Sequence, residues 1–229
     1  MIALPLVLAL SGAFDFVSSA KADLDGDGAE EEIRFEALPT GIVAYDLAIG
    51  GAKLGKRLEA SEALTFAIVD LDSTDKQREV LVRTEDANDY RSFVVVRYEK
   101  KKPVELGRFG GQLPADPEIA GNGFVLYQTW EGFYARTVKL ALDAKKGKLA
   151  ELVPELYAVE VRAKVKESFP LYTTRAKKDV LARAKVGSEV NVVAHDPAAK
   201  LFLVRSATGL LGWVTFADLE RGADLPWAG

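Results

Sequence analysis

Apolar and polar residues alternate with period two along most of this chain, and helical periodicity is almost absent. Such alternation turns one face of a strand toward a core and the other toward solvent. Together with short β-branched and aromatic runs, it predicts strands at Glu32–Ala37, Ile42–Ile49, Leu64–Val69, Glu79–Thr84, Ser92–Tyr98, Val104–Phe109, Phe124–Thr129 and Phe133–Leu142. Between them stand turn-forming groups: Pro39-Thr40-Gly41, Gly50-Gly51, Lys101-Lys102-Pro103, Gly110-Gly111, Trp130-Glu131-Gly132 and Lys145–Gly147. Further on, a glycine turn at Gly187 leads into an apolar-rich run to Val193, and Leu201–Arg205 reads as another strand. Only Ala60–Ala63 reads as a helical turn. The pattern predicts an all-β protein.

One polar stretch interrupts the alternation with chemistry of its own. Asp23, Asp25 and Asp27 stand at positions 1, 3 and 5 of a loop, Gly28 at position 6, Ala29 at position 7 and Glu31 at position 9. Carboxylates at alternate positions of a tight loop can converge on one centre. Calcium takes six to eight hard oxygen ligands of this kind, with a backbone carbonyl at position 7. The competing reading is a solvated acidic turn. The spacing favours Ca²⁺ in a structural role, because like-charged carboxylates repel until an ion sits between them.

Asp23-Leu24-Asp25 recurs as Asp70-Leu71-Asp72, 47 residues on, a spacing typical of sheet repeats. In each copy a Glu opens the next strand, Glu32 in the first and Glu79 in the second. The second loop has Thr74 at position 5, Asp75 in place of the turn glycine and Arg78 in place of the position-9 acid, which predicts weak metal binding or none. A third copy would fall near Asp116-Pro117, where the pattern is missing. Over residues 14–152 the arrangement resembles FG-GAP or VCBS repeats, β-hairpin units that hold calcium in a D-x-D-G-D-G loop. The resemblance implies Asp23, Asp25, Asp27 and Glu31 as side-chain ligands, Ala29 as a backbone ligand and Glu32 as an additional one. Two copies imply a partial propeller-like domain or small sheet assembly rather than a closed ring.

A second resemblance covers residues 165–222. It runs from Phe169–Thr174 through Val186–Val193 and Leu201–Arg205 to Gly209-Leu210-Leu211-Gly212-Trp213-Val214 and Phe216–Leu219. This order is similar to a bacterial SH3 (SH3b) domain, a small barrel of short strands. The resemblance implies a ligand groove lined by Tyr172, Arg175 and Trp213, with Trp213 also expected in the barrel core. Val153–Lys164 would connect the two domains.

Composition bounds the function. The 229 residues carry no cysteine, so disulfides, thiolate metal sites and cysteine nucleophiles are excluded. Net charge is −4, unevenly spread: residues 1–161 carry −8, residues 162–222 carry +5, and Asp224 supplies the rest. The basic part would suit an anionic surface such as a cell-wall polymer. Residues 1–13 look like the apolar core of a signal peptide, too short to span a membrane, with small residues at Ser11-Gly12-Ala13 for cleavage. Ala20-Lys21-Ala22 is a second match. These features predict an extracytoplasmic protein that does not span the membrane once mature.

Catalytic signatures are missing. His195 is the only histidine, in an expected turn, and no G-x-S-x-G elbow accompanies it. No glycine loop leads from a strand into a helix to cradle a nucleotide, and Lys100-Lys101-Lys102 reads as a solvated hairpin tip rather than a nucleic-acid contact. Trp130, Phe133 and Tyr134 crowd one turn, as an exposed contact or as core. Trp227 could fold the tail back onto a domain. The leading expectation is a non-catalytic, calcium-stabilised binding or adaptor protein of the bacterial envelope, contacting cell wall, peptide or protein. The alternatives are an interaction module without wall affinity, and a glycan or peptidoglycan hydrolase using acidic residues.

Overall fold

A computed structural model describes residues 14–39, 44–59, 63–86, 90–112, 115–143 and 145–227. The expected leader at residues 1–13 lies outside them, as do Ile42 and most of the expected turn at Ala60–Ala63, whose last residue opens a strand. The fold is all-β, built from several antiparallel sheets, none of them a closed barrel, with one short helix among the described residues. No described helix is long and apolar enough to cross a membrane.

The chain divides into two compact units. The first comprises the described residues up to Leu126 together with 140–150. The second comprises 127–139 and the described residues from Glu151 onward.

Three meandering sheets, of five, four and four strands, run through the first part of the chain. The first contains β1 (Ser19–Ala22), β2 (Glu31–Ala37), β3 (Ala44–Ile49) and β4 (Ala52–Lys53), with β5 (Leu58–Glu59) also pairing β3. The second orders β6 (Ala63–Val69), β7 (Glu79–Asp86), β8 (Tyr90–Glu99) and β9 (Lys102–Gln112). The third orders β10 (Glu118–Ile119), β11 (Phe124–Trp130), β12 (Ala135–Asp143) and β13 (Lys148–Glu151). Its hairpin tip, 127–139, belongs to the second unit.

Strand alternation explains which faces are buried. In β2, Ile33 is buried while Glu32, Arg34 and Glu36 share the opposite face. There Arg34 pairs with both acids at 2.9 and 3.0 Å, and Lys53 reaches Glu36 at 2.7 Å. In the second sheet such charges, Arg83, Glu85 and Arg91, are confined to one end. Val80, Leu81 and Val82 are all fully buried, as are Phe93 and Val95, because both faces of the sheet are covered. A sheet covered twice reads as a continuous apolar run instead of an alternation. One core joins Leu24, Ile33, Leu47, Ile49 and Leu58 to Phe66, Val80, Val82, Val94, Val96 and Tyr98. The Lys100-Lys101 tip adopts positive φ at both residues, the geometry of a tight two-residue hairpin between β8 and β9.

In the second unit a single hydrogen-bonded path runs through β16 (Val180–Arg183), β15 (Pro170–Tyr172), β19 (Leu211–Thr215), β18 (Leu201–Ser206), β17 (Glu189–Asp196), β14 (Tyr157–Val165) and β20 (Ala223–Asp224). Its inward residues surround one core that includes Val165, Phe169, Leu171, Val192, Val204 and Val214. Phe216–Leu219 enters helix α1 (Phe216–Gly222), whose first turn is capped by the Thr215 hydroxyl accepting the Asp218 N–H. The expected connection at Val153–Lys164 is largely strand: β14 pairs with β17 and β20. Its polar residues alternate outward, which is why the segment reads as a linker.

Candidate metal loop and aromatic surface

The loop between β1 and β2 is shaped by its own carboxylates. Asp23 accepts the Gly26 N–H at 2.8 Å and the Gly28 N–H at 3.0 Å, and Asp27 accepts the Ala29 N–H at 2.8 Å. Gly26 and Gly28 have φ of +75° and +90°, which side-chain-bearing residues adopt at a cost. At Gly26 a Cβ would also lie 2.7 Å from the Lys76 Cβ and 2.9 Å from its carbonyl oxygen. These turns bring carboxylate oxygens of Asp23, Asp25 and Asp27 within 4.8 Å of one another. Among the described residues this is the one such acidic group, and none of the three forms an ion pair with the chain's own cations.

The remaining expected ligands are placed differently. Glu31 opens β2 on the same face as Ile33, and its carboxylate accepts the Leu24 N–H at 3.0 Å, closing the loop at its base. Glu32, one residue on, falls on the opposite face and is engaged by Arg34. It does not join the cluster, because alternation along a strand sends neighbouring side chains apart. Ala29 stays in the loop, exposed, with its N–H committed to Asp27.

The second loop corrects the expected alignment of the repeats. Glu79 accepts the Leu71 N–H at 2.9 Å, as Glu31 does for Leu24. Glu79 therefore corresponds to Glu31 rather than to Glu32. The second loop is one residue longer, its bonded residues being eight positions apart instead of seven. Arg78 then takes a backbone role, donating its N–H to Leu24 O at 2.9 Å. The same contact recurs one meander on, where Gly123 donates to Leu71 O at 2.7 Å. The Ala120–Gly123 loop between β10 and β11 thus meets the second loop as the second meets the first. It is short and has no acid, so no sequence signal marks it.

The two acidic loops differ in charge balance. Directly across from Glu79 on β8 stands Arg97. Its Nε donates to Glu79 at 2.7 Å, and its guanidinium lies 3.9 Å from Asp75. Both partners are buried, at 0 % and 8 % exposure. Burial holds the Glu79 carboxyl above its ordinary value, against the opposing pull of the Leu71 N–H and Arg97. Asp72 is held below the ordinary carboxylate range by Thr74, whose hydroxyl and N–H it accepts at 2.6 and 3.1 Å. The second loop thus carries a cation supplied by the chain. Around the first loop the neighbour is instead Tyr98, whose phenol is pushed up by burial and then by the charges of Glu31, Asp25 and Asp27. Arg97 and Tyr98 were beyond sequence reasoning, since only strand pairing brings them to these loops.

Tyr172, Arg175 and Trp213 do come together in the second unit. Tyr172 pairs with Trp213 across β15 and β19. The Arg175 guanidinium lies over the Trp213 ring, 4.6 Å from its centroid. Arg175 is fixed by Asp196 and Glu155, each at 2.6 Å. Asp196 is buried and held low, first by the Ala199 N–H and also by Arg175. Trp213 is half-buried and outside the core: Gly212 and Val214 point inward, so the residue between them faces out. Gly212 is needed because a Cβ there would lie 2.6 Å from the Leu171 Cβ. An open cleft of about 700 Å³ adjoins Arg175, lined also by Val153, Glu155, Asp196 and Pro197.

Phe133 and Tyr134 fold into the core of the second unit. His195 is not in a turn but on β17, half-buried, stacked on Phe202 at 4.5 Å. Trp227 packs edge-on against Phe133 and Phe216, bringing the tail back as expected. No family model matches this chain, and neither a curated protein nor a solved structure does.

Proposed function

We propose that this chain is a non-catalytic, calcium-stabilised binding protein of the bacterial envelope. The observation that carries the reading is the contrast between its two acidic loops. Asp23, Asp25 and Asp27 converge with no protein cation among them, whereas the equivalent second loop has Arg97. A structural Ca²⁺ would complete the first loop, held by the three aspartates with the Ala29 carbonyl and Glu31 as further oxygens. Glu32, engaged by Arg34, is left out of the set. The ion would neutralise the carboxylates and join β1 to β2.

Recurrent meandering sheets, each with its loop between the first two strands, support an FG-GAP or VCBS-like reading of the first unit. Seven strands on one path around one core support an SH3b-like reading of the second. On this reading the Tyr172–Arg175–Trp213 surface contacts a cell-wall polymer or an extended peptide. An aromatic with a stacked, ion-paired arginine is rigid before binding, which lowers the ordering cost of association.

Calorimetric titration with Ca²⁺ tests the first part: one site should appear and vanish in Asp25→Ala. Sedimentation with purified peptidoglycan tests the second. Wild type should pellet with the polymer and Trp213→Ala should lose most of that binding. A folded wild-type chain that stays in the supernatant would remove wall affinity and leave a protein or peptide partner.

A further inference from the structure

The second unit contains a cavity that Tyr172, Arg175 and Trp213 do not line. Its volume is about 290 Å³, and Phe133, Tyr134, Phe202 and Phe216 provide aromatic walls. Phe216 is 39 % exposed and stands where the cavity meets solvent, with Trp227 packed beside it. The volume is at the small end of ligand sites, about 300 Å³ and upward, and suits one ring rather than a chain.

The polar groups of the lining are His195, Lys200 and Glu131. Their hydrogen-bonding states follow from their partners. Tyr134 is 3 % exposed, and its hydroxyl lies 2.7 Å from His195 Nδ1, its one recorded partner. A buried hydroxyl has to place its hydrogen on an acceptor, and Nδ1 is the acceptor at hand. Tyr134 therefore donates, Nδ1 accepts, and the His195 proton sits on Nε2. Burial, which holds His195 below its ordinary value, agrees with this neutral ring. Glu131 is turned to Arg136 at 2.8 Å, a guanidinium that Glu151 shares at 3.4 Å. Lys200 is exposed and forms no ion pair among the described residues. Lys200 is thus the cation of this lining without a partner among the described residues, and with the His195 Nε2–H it offers a ligand two donors.

We infer that this cavity binds a single-ring carboxylate, with the ring against Phe202 and Phe216 and the carboxylate on Lys200. Aromatic faces accept an apolar ring or the C–H face of a sugar acid, and the ammonium selects the anion. The site is independent of the metal loop and of the Trp213 surface.

Ligand-observed saturation-transfer NMR on the full chain tests it. The probes are benzoate and glucuronate, each with its neutral counterpart, benzyl alcohol and glucose. At least one acid should bind saturably, about tenfold tighter than its counterpart. Preference for benzoate would mark an aromatic acid, and preference for glucuronate a sugar acid. Lys200→Gln should abolish the preference for the acid, and Glu220→Gln on α1 should leave it intact. Lys200 lies in an exposed turn, so its variant is expected to fold, and Phe216→Ala provides a second loss of binding. Failure of both acids to saturate by about 10 mM would overturn the inference. Equal binding of acid and neutral probe, or an unchanged preference in Lys200→Gln, would overturn it too.

Discussion

Arg97 shows how one residue changes what a loop requires. Its guanidinium supplies the positive charge beside Glu79 and Asp75, and both members of the closest pair are buried. Removing one partner of a buried pair strands the other, which costs about 3–5 kcal/mol. Arg97→Ala should therefore lower the denaturant midpoint by that order. Partial recovery in tens of millimolar guanidinium, well below denaturing levels, would show that the missing group is the cation. A midpoint equal to wild type would mean that Glu79 has another countercharge. His195 gives a second residue-level prediction. Its folded pKa lies below the ordinary 6.5 because of burial, with Arg136 acting in the same direction and Glu131 and Asp196 opposing. Between the two pKa values the unfolded chain binds more protons, so stability falls as pH drops below about 6.5. It is the only histidine, so His195→Gln should flatten the stability profile between about pH 7 and 5. An unchanged slope would place the titration elsewhere.

At the scale of elements, the strands were legible because half-buried sheets alternate. Residues 31–37, 63–69 and 124–130 appear within a residue of where the pattern places them. The segment at β14 was misread because its polar positions, Glu160, Arg162 and Lys164, look like a linker when the pairing with β17 is unseen. The correspondence between the two acidic loops was misread for a physical reason as well. Glu31 and Glu32 are chemically alike, and only the carboxylate closing onto Leu24 or Leu71 tells which corresponds to Glu79. The third loop left no trace because its contacts run through backbone atoms, Ser73 N–H to Gly121 O at 2.9 Å and Gly123 N–H to Leu71 O. Gly26 is the point where the first loop meets Lys76 of the second. Gly26→Ala should cost about 1–3 kcal/mol from its left-handed backbone, with the Lys76 contact adding to it, and should weaken calcium binding. Gly28→Ala has the same backbone strain but open space around the added methyl, so it should cost less. Equal losses in the two variants would mean that contact with Lys76 does not matter.

For the whole molecule, the sequence announced two units of opposite charge but not the exchange between them of the hairpin tip at 127–139. That tip supplies Phe133 and Tyr134 to the second unit's core, so residues 165–222 alone omit both part of the core and β14. The cluster of Asp23, Asp25 and Asp27 was readable as a spacing of acids, and the Tyr172–Arg175–Trp213 set as a resemblance. The groups around them were not, because Arg97, Tyr98 and Asp196 arrive through long-range pairing. The central claim concerns the first loop: its three aspartates need an external cation where the second loop uses Arg97. Thermal unfolding in about 10 mM calcium and in chelator measures this directly, with Asp25→Ala alongside. For an affinity near that of extracellular modules, about 0.1 mM, saturation stabilises by about 2.7 kcal/mol. That is a rise in Tm of about 5–10 °C for a chain of this size. The account predicts this rise in the wild type and its loss in Asp25→Ala, and an identical Tm with and without calcium in the wild type would contradict it.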